Sequence, residues 1–400
     1  MVDLHLSAEQ LEFRDGVRDF VAQELKPFAV SPQHLEAAER RLPMEILDKA
    51  SDLGLRTLAL SEELGGAGAS NLTFCILAEE LAAGDADVAT VLTETARLGQ
   101  LLFDRLMTPA QRDRFLPQFL SDPRFHLAAA QSESEAALGL GINYHRPLPA
   151  EVPLRTTARR SGGEWVINGE KKAVANAPVA KLFAVWAQTP EGASAFLVPR
   201  EASGLSLSAR AGNSHLGACG DLVFADCRVP AANLLGLEGS APHLCAAEKA
   251  GRGNPLRQAI ALGIGRAAYE AALDYARLRV QGGRRIIEHQ AIGTKLADVL
   301  VRLEVARAAI WQAAWASDHA EAFADRSLAD LPLATIAEVY TGPAIYAAAK
   351  DAAECFGAMG VMKDMPLQKY VHDALLSLHS GGGNGEAKLR LAEALAGYVR

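Results

Sequence analysis

Glu164-Trp165-Val166-Ile167-Asn168-Gly169 is the stretch on which the fold reading turns. Aromatic and β-branched residues run into Asn-Gly, the dipeptide of tight turns, so it reads as a strand meeting a turn. Runs of the same kind surround it: Leu182-Phe183-Ala184-Val185-Trp186, Ser194-Ala195-Phe196-Leu197-Val198-Pro199, and Asp221 to Pro230. No helix of useful length fits between them. Residues 125–240 therefore read as a small all-β domain.

On either side the period changes to that of helices. Ser7 with Gln10 forms a capping-box signal, and Phe13, Val17, Phe20, Val21 and Leu25 then share one face, with Pro27 expected to end the run. Further helices are expected over 43–54, 71–83 and 86–107, with a loop at 61–68. Thr108-Pro109, an N-cap followed by proline at the first helical position, starts another to about residue 120. After Gly239 helices are expected over 254–278, 288–320, 333–356 and 366–378, and a last one follows Gly385. Long amphipathic helices in sequence suggest a four-helix bundle. The fold class is α+β: an N-terminal helical domain (1–124), a β-barrel or sandwich domain (125–240) and a C-terminal four-helix bundle (241–400). Strands and helices are segregated rather than alternating, which excludes a doubly wound sheet.

Of the 400 residues 50% are apolar and 22% charged, an ordinary globular balance, and the net charge of −8 argues against a general nucleic-acid binder. The five cysteines (75, 219, 227, 245 and 355) are odd in number and show no CxxC spacing, so a reduced, cytoplasmic protein without a disulfide framework is expected. Met1 to Leu6 lack a signal-peptide pattern, and no apolar run reaches membrane-spanning length.

Gly263-Ile264-Gly265-Arg266-Ala267-Ala268 matches G-x-G-x-x-A in form, but it lies inside a helical pattern, so close helix packing is the reading. There is no Walker A motif, no histidine cluster for a metal and no GxSxG elbow. Two segments point to anions. Leu378-His379-Ser380-Gly381-Gly382-Gly383-Asn384-Gly385-Glu386 is a glycine loop entering a helix, either an anion cradle or a flexible joint. Arg279-Val280-Gln281-Gly282-Gly283-Arg284-Arg285, followed by Glu288-His289-Gln290, is either a solvated basic turn or a phosphate site.

Several segments, in order, resemble the acyl-CoA dehydrogenase flavoprotein family over nearly the whole chain. Trp165 to Lys172 with Asn176 resembles its W-x-I-N-G-x-K segment, and Phe224 to Pro230 its F-x-D-x-x-V-P strand. Arg279 with Glu288-His289-Gln290-Ala291 resembles R-x-x-F-G…H-Q-A, and Phe356 to Gly360 with Pro366 resembles G-G-x-G…P. His372-Asp373-Ala374 stands where R-D-A is usual. The resemblance implies FAD, an acyl-CoA thioester substrate oxidised at its α and β carbons, and electron-transfer flavoprotein as acceptor. It further implies a homo-oligomer, dimer or tetramer, in fatty-acid metabolism. Arg279 and Gln281 would lie by the FAD pyrophosphate, and His289, Gln290, Glu354, Gly357 and Ala358 along the adenosine. Gln131, Ser132, Ala173, Ala175 and Gly383 would lie near the flavin, and Asn254, Gly381 and Gly382 by the substrate.

The same resemblance marks an absence. The two places where the family keeps its glutamate base fall on Gly381 and Gly253, and the Trp-x-Thr beside the flavin falls on Ala173-Val174-Ala175. Glu386 and Glu248 are the candidates for a relocated base, ahead of Asp373. A non-oxidative lyase, such as a 3-sulfinopropionyl-CoA desulfinase with Arg97 as its cation, and a degenerate subunit of a heteromer are the alternatives.

Overall fold

The computed structural model describes residues 5–37, 40–133, 154–210, 215–241, 251–380 and 383–396. Along the chain come α1 (Ala8–Phe20), α2 (Met44–Asp52), α3 (Asn71–Gly84), α4 (Ala86–Gly99) and α5 (Pro109–Ser121). Strands follow: β1 (His126–Ala130), β2 (Thr157–Ser161), β3 (Glu164–Ala175), β4 (Ala180–Thr189), β5 (Gly192–Pro199), β6 (Leu205–Ala209), β7 (Cys219–Pro230) and β8 (Leu234–Leu235). The remainder is helical: α6 (Leu256–Leu278), the hairpin β9 (Val280–Gln281) and β10 (Arg284–Arg285), α7 (Gln290–Asp318), α8 (Leu333–Glu354), α9 (Pro366–His379) and α10 (Gly383–Leu395). The chain forms two compact units. One is drawn from the described parts of 1–41, 70–90 and 247–397, the other from those of 42–69 and 91–246.

In the helical unit the Ser7 capping box is present, with the hydroxyl accepting from the Gln10 amide and the Gln10 side chain accepting from the Ser7 amide. Pro27 does not end this run. The chain passes through a wide turn (Val21–Leu25) and reopens as Lys26–Ala29 with Pro27 in its first turn, where a missing N–H costs nothing. α3 is buried on every face from Leu72 to Gly84. Its closest neighbour is α6, and Gly263 is the reason. A Cβ there would stand 2.4 Å from the Glu79 carbonyl oxygen and 2.7 Å from the Ala82 methyl. The G-x-G-x-x-A match is a packing feature, as its helical context requires.

The second unit is built on an eight-stranded sheet ordered β6-β7-β3-β2-β4-β5-β8, with β1 parallel to β4. Alternation along β4 and β5 places side chains on two faces. Phe183, Val185, Phe196 and Val198 enter a core shared with Trp165, Ile167, Leu222 and Phe224. Leu182, Ala184, Ala195 and Leu197 face the other way, against Leu98, Leu102, Phe103 and Phe119 of the flanking helical segments. Trp165 of β3 meets Phe196 of β5 edge-on at 5.2 Å although two strands separate them in the sheet order, so the sheet curls over its own core. A buried ion pair lies at its end. Lys171 Nζ is 2.7 Å from Glu133 Oε1, both side chains being almost wholly buried.

A second buried charge cluster belongs to the helical unit. Arg40 reaches Asp373 at 2.5 Å and Asp87 at 3.5 Å. Lys369 reaches Asp373 at 2.8 Å and Asp85 at 3.1 Å. Asp85 also caps α4, accepting from the amides of Asp87 and Val88, and His34 stands 3.9 Å from it. Three carboxylates thus face two permanent cations. Burial first, and then the neighbouring Asp85, push the Asp87 carboxyl up to about 7. Burial would raise Asp373 too, but Lys369, His372 and Arg40 outweigh it and hold it well below the usual range. Burial lowers His34 and keeps it neutral.

Two outcomes follow. Between an ordinary aspartate value of 3.8 and about 7 the folded chain holds a proton on Asp87 that the unfolded chain releases. Wild-type stability therefore loses up to about 1.4 kcal/mol per pH unit from this group as pH rises through that window. Asp87→Asn removes the loss, so its advantage over wild type in urea melts should widen up to neutral pH and then level off. A gap independent of pH would contradict the assignment. In the sheet unit, Lys171→Met or Glu133→Gln alone should cost about 3–5 kcal/mol, while the double variant recovers much of it. Additive losses in the double-mutant cycle would show that the pair does not act as a pair.

Candidate active site

The sheet unit holds Gln131, Ser132, Ala173 and Ala175 of the expected flavin site, and also Arg97. Gln131 and Ser132 leave the end of β1 exposed and run beside β3. The Lys172 amide donates to the Ser132 carbonyl at 2.9 Å, and Lys171 Nζ donates to the Gln131 carbonyl at 3.2 Å. Burial alone would raise the Glu133 carboxyl, but Lys171 and the amides of Arg155 and Thr156 hold it below its usual value. This anchors the segment. The β3–β7 pairing shifts register between Lys171 and Val174, and at that irregularity Ala173 takes φ 52° and donates its amide to Asp221 at 2.9 Å. Ala173 is exposed and Ala175 half-buried, so this edge presents backbone and two methyl groups. Asn176, with φ 62°, locks the end of the strand. Its side-chain amide donates to the Val91 carbonyl, the Thr95 hydroxyl and the Leu127 carbonyl. The structure thus brings Gln131, Ser132 and Ala173 together through Lys172.

Arg97, in the same unit, is not a free cation. Its guanidinium meets Glu94 of the preceding turn at 2.8 and 3.1 Å.

In the helical unit the basic segment after α6 is a hairpin rather than a loop. Gly282 and Gly283, with φ 63° and 80°, form its two-residue turn, the geometry that left-handed residues favour. A Cβ on Gly282 would meet the His289 ring at 3.4 Å, and that ring is 3.0 Å from the Gln281 carbonyl oxygen. Arg279, Arg284 and Arg285 are exposed, and among the described residues none has an ion-pair partner. Tyr275, one turn before the hairpin, stacks at 4.1 Å on Phe356, the residue before Gly357. Gly357 has φ 58° with open space where a Cβ would be, and Ala358 beside it is exposed. Glu354 is taken by Lys295. Gln290 opens α7.

The candidate bases and substrate residues fare differently. Gly381, Gly382 and Glu248 lie outside the described residues. Gly253 is half-buried and carries no side chain. Asn254 is turned into the bundle, accepting from the Cys75 thiol at 2.9 Å and donating to Asn71 at 2.8 Å. Glu386 is held by Arg390 at 2.9 Å, and the same guanidinium reaches Glu338 at 2.8 Å. Asp373 is sealed in the charge cluster. Gly383, with φ 73°, starts α10.

The sequence reading missed a cavity. Thr341 and Glu338 of α8, Arg257 and Gln258 of α6, and Asn384 of α10 line it beside Ser380. Arg257 falls four residues after Gly253 and Asn384 lies within the glycine loop, so one wall was visible in the sequence. The α8 wall was not, because nothing in a helical period says which helix it will face.

Family models for the N-terminal, middle and C-terminal domains of acyl-CoA dehydrogenase match residues 7–122, 150–227 and 250–396. The chain belongs to the acyl-CoA dehydrogenase family. It is 31% identical to an acyl-CoA dehydrogenase of Bacillus subtilis, over 98% of this chain and all of that one. To the human mitochondrial short-chain specific acyl-CoA dehydrogenase it is 31% identical, over 90% of this chain and 83% of that one. Among solved structures, butyryl-CoA dehydrogenase from Megasphaera elsdenii superposes with a TM-score of 0.84 at 25% identity, covering 99% and 100% of the two chains. Glutaryl-CoA dehydrogenase from Mycobacterium smegmatis gives 0.81 at 26%, covering 99% and 96%.

Members of the acyl-CoA dehydrogenase family are FAD-binding flavoproteins. The residues present fit that cofactor in each unit. The unpaired arginines of the hairpin suit a diphosphate, and the open space at Gly357 admits a ligand against its backbone. The exposed edge at Ala173 leaves room for a flat ring system, without the aromatic ring and the hydroxyl expected there. A flavin would therefore meet methyl groups at this edge, since the Ala173 amide is already given to Asp221.

Proposed function

We propose that this chain is an FAD-dependent acyl-CoA oxidoreductase that removes hydrogen from the α and β carbons of an acyl-CoA thioester and passes electrons to electron-transfer flavoprotein. When bound, the flavin supplies the hydride acceptor. The observation that carries the reading is the family match over all three domains together with the unpaired Arg279–Arg284–Arg285 hairpin. The base is displaced from its two usual places, since residue 253 is glycine and so is 381. Glu386 on the first turn of α10 is the described carboxylate nearest to residue 381 along the chain, and it pairs with Arg390 at 2.9 Å. To work as the acceptor it must turn from Arg390 to the substrate, because a general base has to reach hydrogen-bond distance of its proton. Glu248 is the second candidate.

A different reading, that of a catalytically degenerate subunit in a heteromer, is favoured by the same residues. Of the described candidates Glu386 and Asp373 are both ion-paired, and Gly253 has nothing to offer. The Arg97–Glu94 pair weighs against Arg97 as a desulfinase cation. Association into a dimer or tetramer is proposed on the family match; Leu278 (81%), Val280 (59%) and Val361 (75%) are exposed on the helical unit. The described cysteines 75, 219, 227 and 355 are free and buried, in keeping with a reducing, cytoplasmic compartment; a place in fatty-acid metabolism follows from the acyl-CoA reading.

Purified protein should carry flavin, and an acyl-CoA panel under anaerobic conditions should contain one thioester that bleaches it. Glu386→Gln should slow bleaching by about 10²–10⁴-fold if it is the base. Arg279→Gln combined with Arg284→Gln should lower flavin content. A colourless protein that gains flavin chemistry only with a partner chain would establish the degenerate subunit instead. Sulfite release without an electron acceptor would establish the lyase.

A further inference from the structure

The helical unit contains a small polar cavity, about 30 Å³, where helical bundles are ordinarily closed by alanine and leucine. It exists because three lining positions are small. Ala261 and Gly342 face it, and Gly383, with φ 73°, turns the chain into α10 at its edge. A Cβ on Gly342 would already touch Leu378 at 3.1 Å, so that wall has no slack.

The groups around the cavity form a set with capacity to spare. Thr341 is completely buried, and among the described residues its hydroxyl has no hydrogen-bond partner. A buried hydroxyl left unpaired costs about 1–3 kcal/mol, so an empty site of this kind is unfavourable. Arg257 stands at the rim with no carboxylate partner, and Gln258 beside it makes no side-chain hydrogen bond among the described residues. Glu338 is on the wall and shares Arg390, 2.8 Å away, with Glu386. Asn384 donates to the Val339 carbonyl, fixing the first turn of the 13-residue α10 at the cavity. The first amides of that turn have no partner within the helix and carry its positive dipole end. Arg257 is therefore the one cation of the lining, and no described carboxylate pairs with it.

We propose that this cavity is a subsite for one carboxylate group, held by the Arg257 guanidinium at the rim and by the Thr341 hydroxyl at its floor. The space accommodates roughly two water-sized groups, which is what the two oxygens of a carboxylate require. A planar guanidinium matches a carboxylate with two parallel hydrogen bonds. The tetrahedral bulk of a phosphate ester exceeds the space. The carboxylate comes either from a free small acid or from the far end of an acyl chain. The site is independent of the oxidative reading, because its occupancy is read from stability and not from turnover.

The test is the thermal midpoint of the full-length chain in acetate, against chloride at equal ionic strength and against inorganic phosphate. Acetate should raise the midpoint along a saturating curve that chloride and phosphate do not reproduce. Arg257→Gln should abolish the response, and Arg257→Lys should weaken it. Thr341→Val should weaken acetate several-fold while its own midpoint without acetate falls no lower than wild type, since the hydroxyl has no partner to lose. Displacement of acetate by succinyl-CoA but not by butyryl-CoA assigns the group to an acyl chain, and displacement by neither assigns it to a free acid. Both outcomes support the subsite. Equal responses to acetate and chloride, equal responses of wild type and Arg257→Gln, or a larger response to phosphate each overturn it.

Discussion

Helix α6 lies where it does because residues 263 and 265 have no side chains. A Cβ on Gly263 would overlap the backbone of α3, and one on Gly265 would stand 2.9 Å from Leu303 and 3.0 Å from Ile345. Around this contact the chain places ionic partners that only a close approach can join. Arg266 bonds Glu80 at 2.6 and 2.9 Å, and Arg307 of α7 meets Glu79 at 2.8 Å. Glu79 and Glu80 are buried, and each is held by two arginines: Arg18 also lies 2.8 Å from Glu80, and Arg266 lies 3.4 Å from Glu79. The position of α6 then fixes both ends of the candidate site in this unit. Gly253, Asn254 and Arg257 flank its N-terminus, and the arginine hairpin springs from its C-terminus.

What could be read in the sequence was what local physics determines. The Ser7 and Thr108 caps, the β-branched runs and the helical context of Gly263 each state their structure within a few residues. The hairpin at 280–285 was hidden because two-residue strands leave no alternation to detect, although Gly282-Gly283 between arginines was its signature. Pro27 misled because proline forbids a helix interior but suits a first turn, and which of the two applies depends on the wide turn before it. Asn254 and Arg97 had partners that no spacing rule for a site would supply. Asn254 is turned towards Cys75 across the bundle, and Arg97 is satisfied by the residue one turn earlier.

The charge cluster shows how a substitution at one position is absorbed elsewhere. His372 stands where an arginine before Asp-Ala was expected, and it cannot supply a permanent cation. Arg40, from a distant part of the chain, supplies one. Its guanidinium is 2.5 Å from Asp373 and 3.3 Å from the His372 ring. The carboxylate at 373 is therefore neutralised as an arginine–aspartate pair would be, but by a long-range contact that ties the segment around residue 40 to α9. Lys369 completes the neutralisation one turn earlier on α9.

The same reasoning bears on the missing base. A carboxylate serves as a proton acceptor when its surroundings leave it basic and reachable, and in this chain arginines and lysines have taken the described acids near the glycine loop. Arg390 holds both Glu386 and Glu338. Arg40 and Lys369 hold Asp373. For Asp373, despite its burial, these cations hold the carboxyl well below its usual range and make it a poor base. Arg257, by contrast, has been left without an acid, beside a buried hydroxyl that also lacks a partner. Among the described residues around the glycine loop the carboxylates are paired and Arg257 is not. A pocket whose own acid, Glu338, is held by Arg390 while its rim arginine is unpaired is suited to receiving a carboxylate from outside the chain.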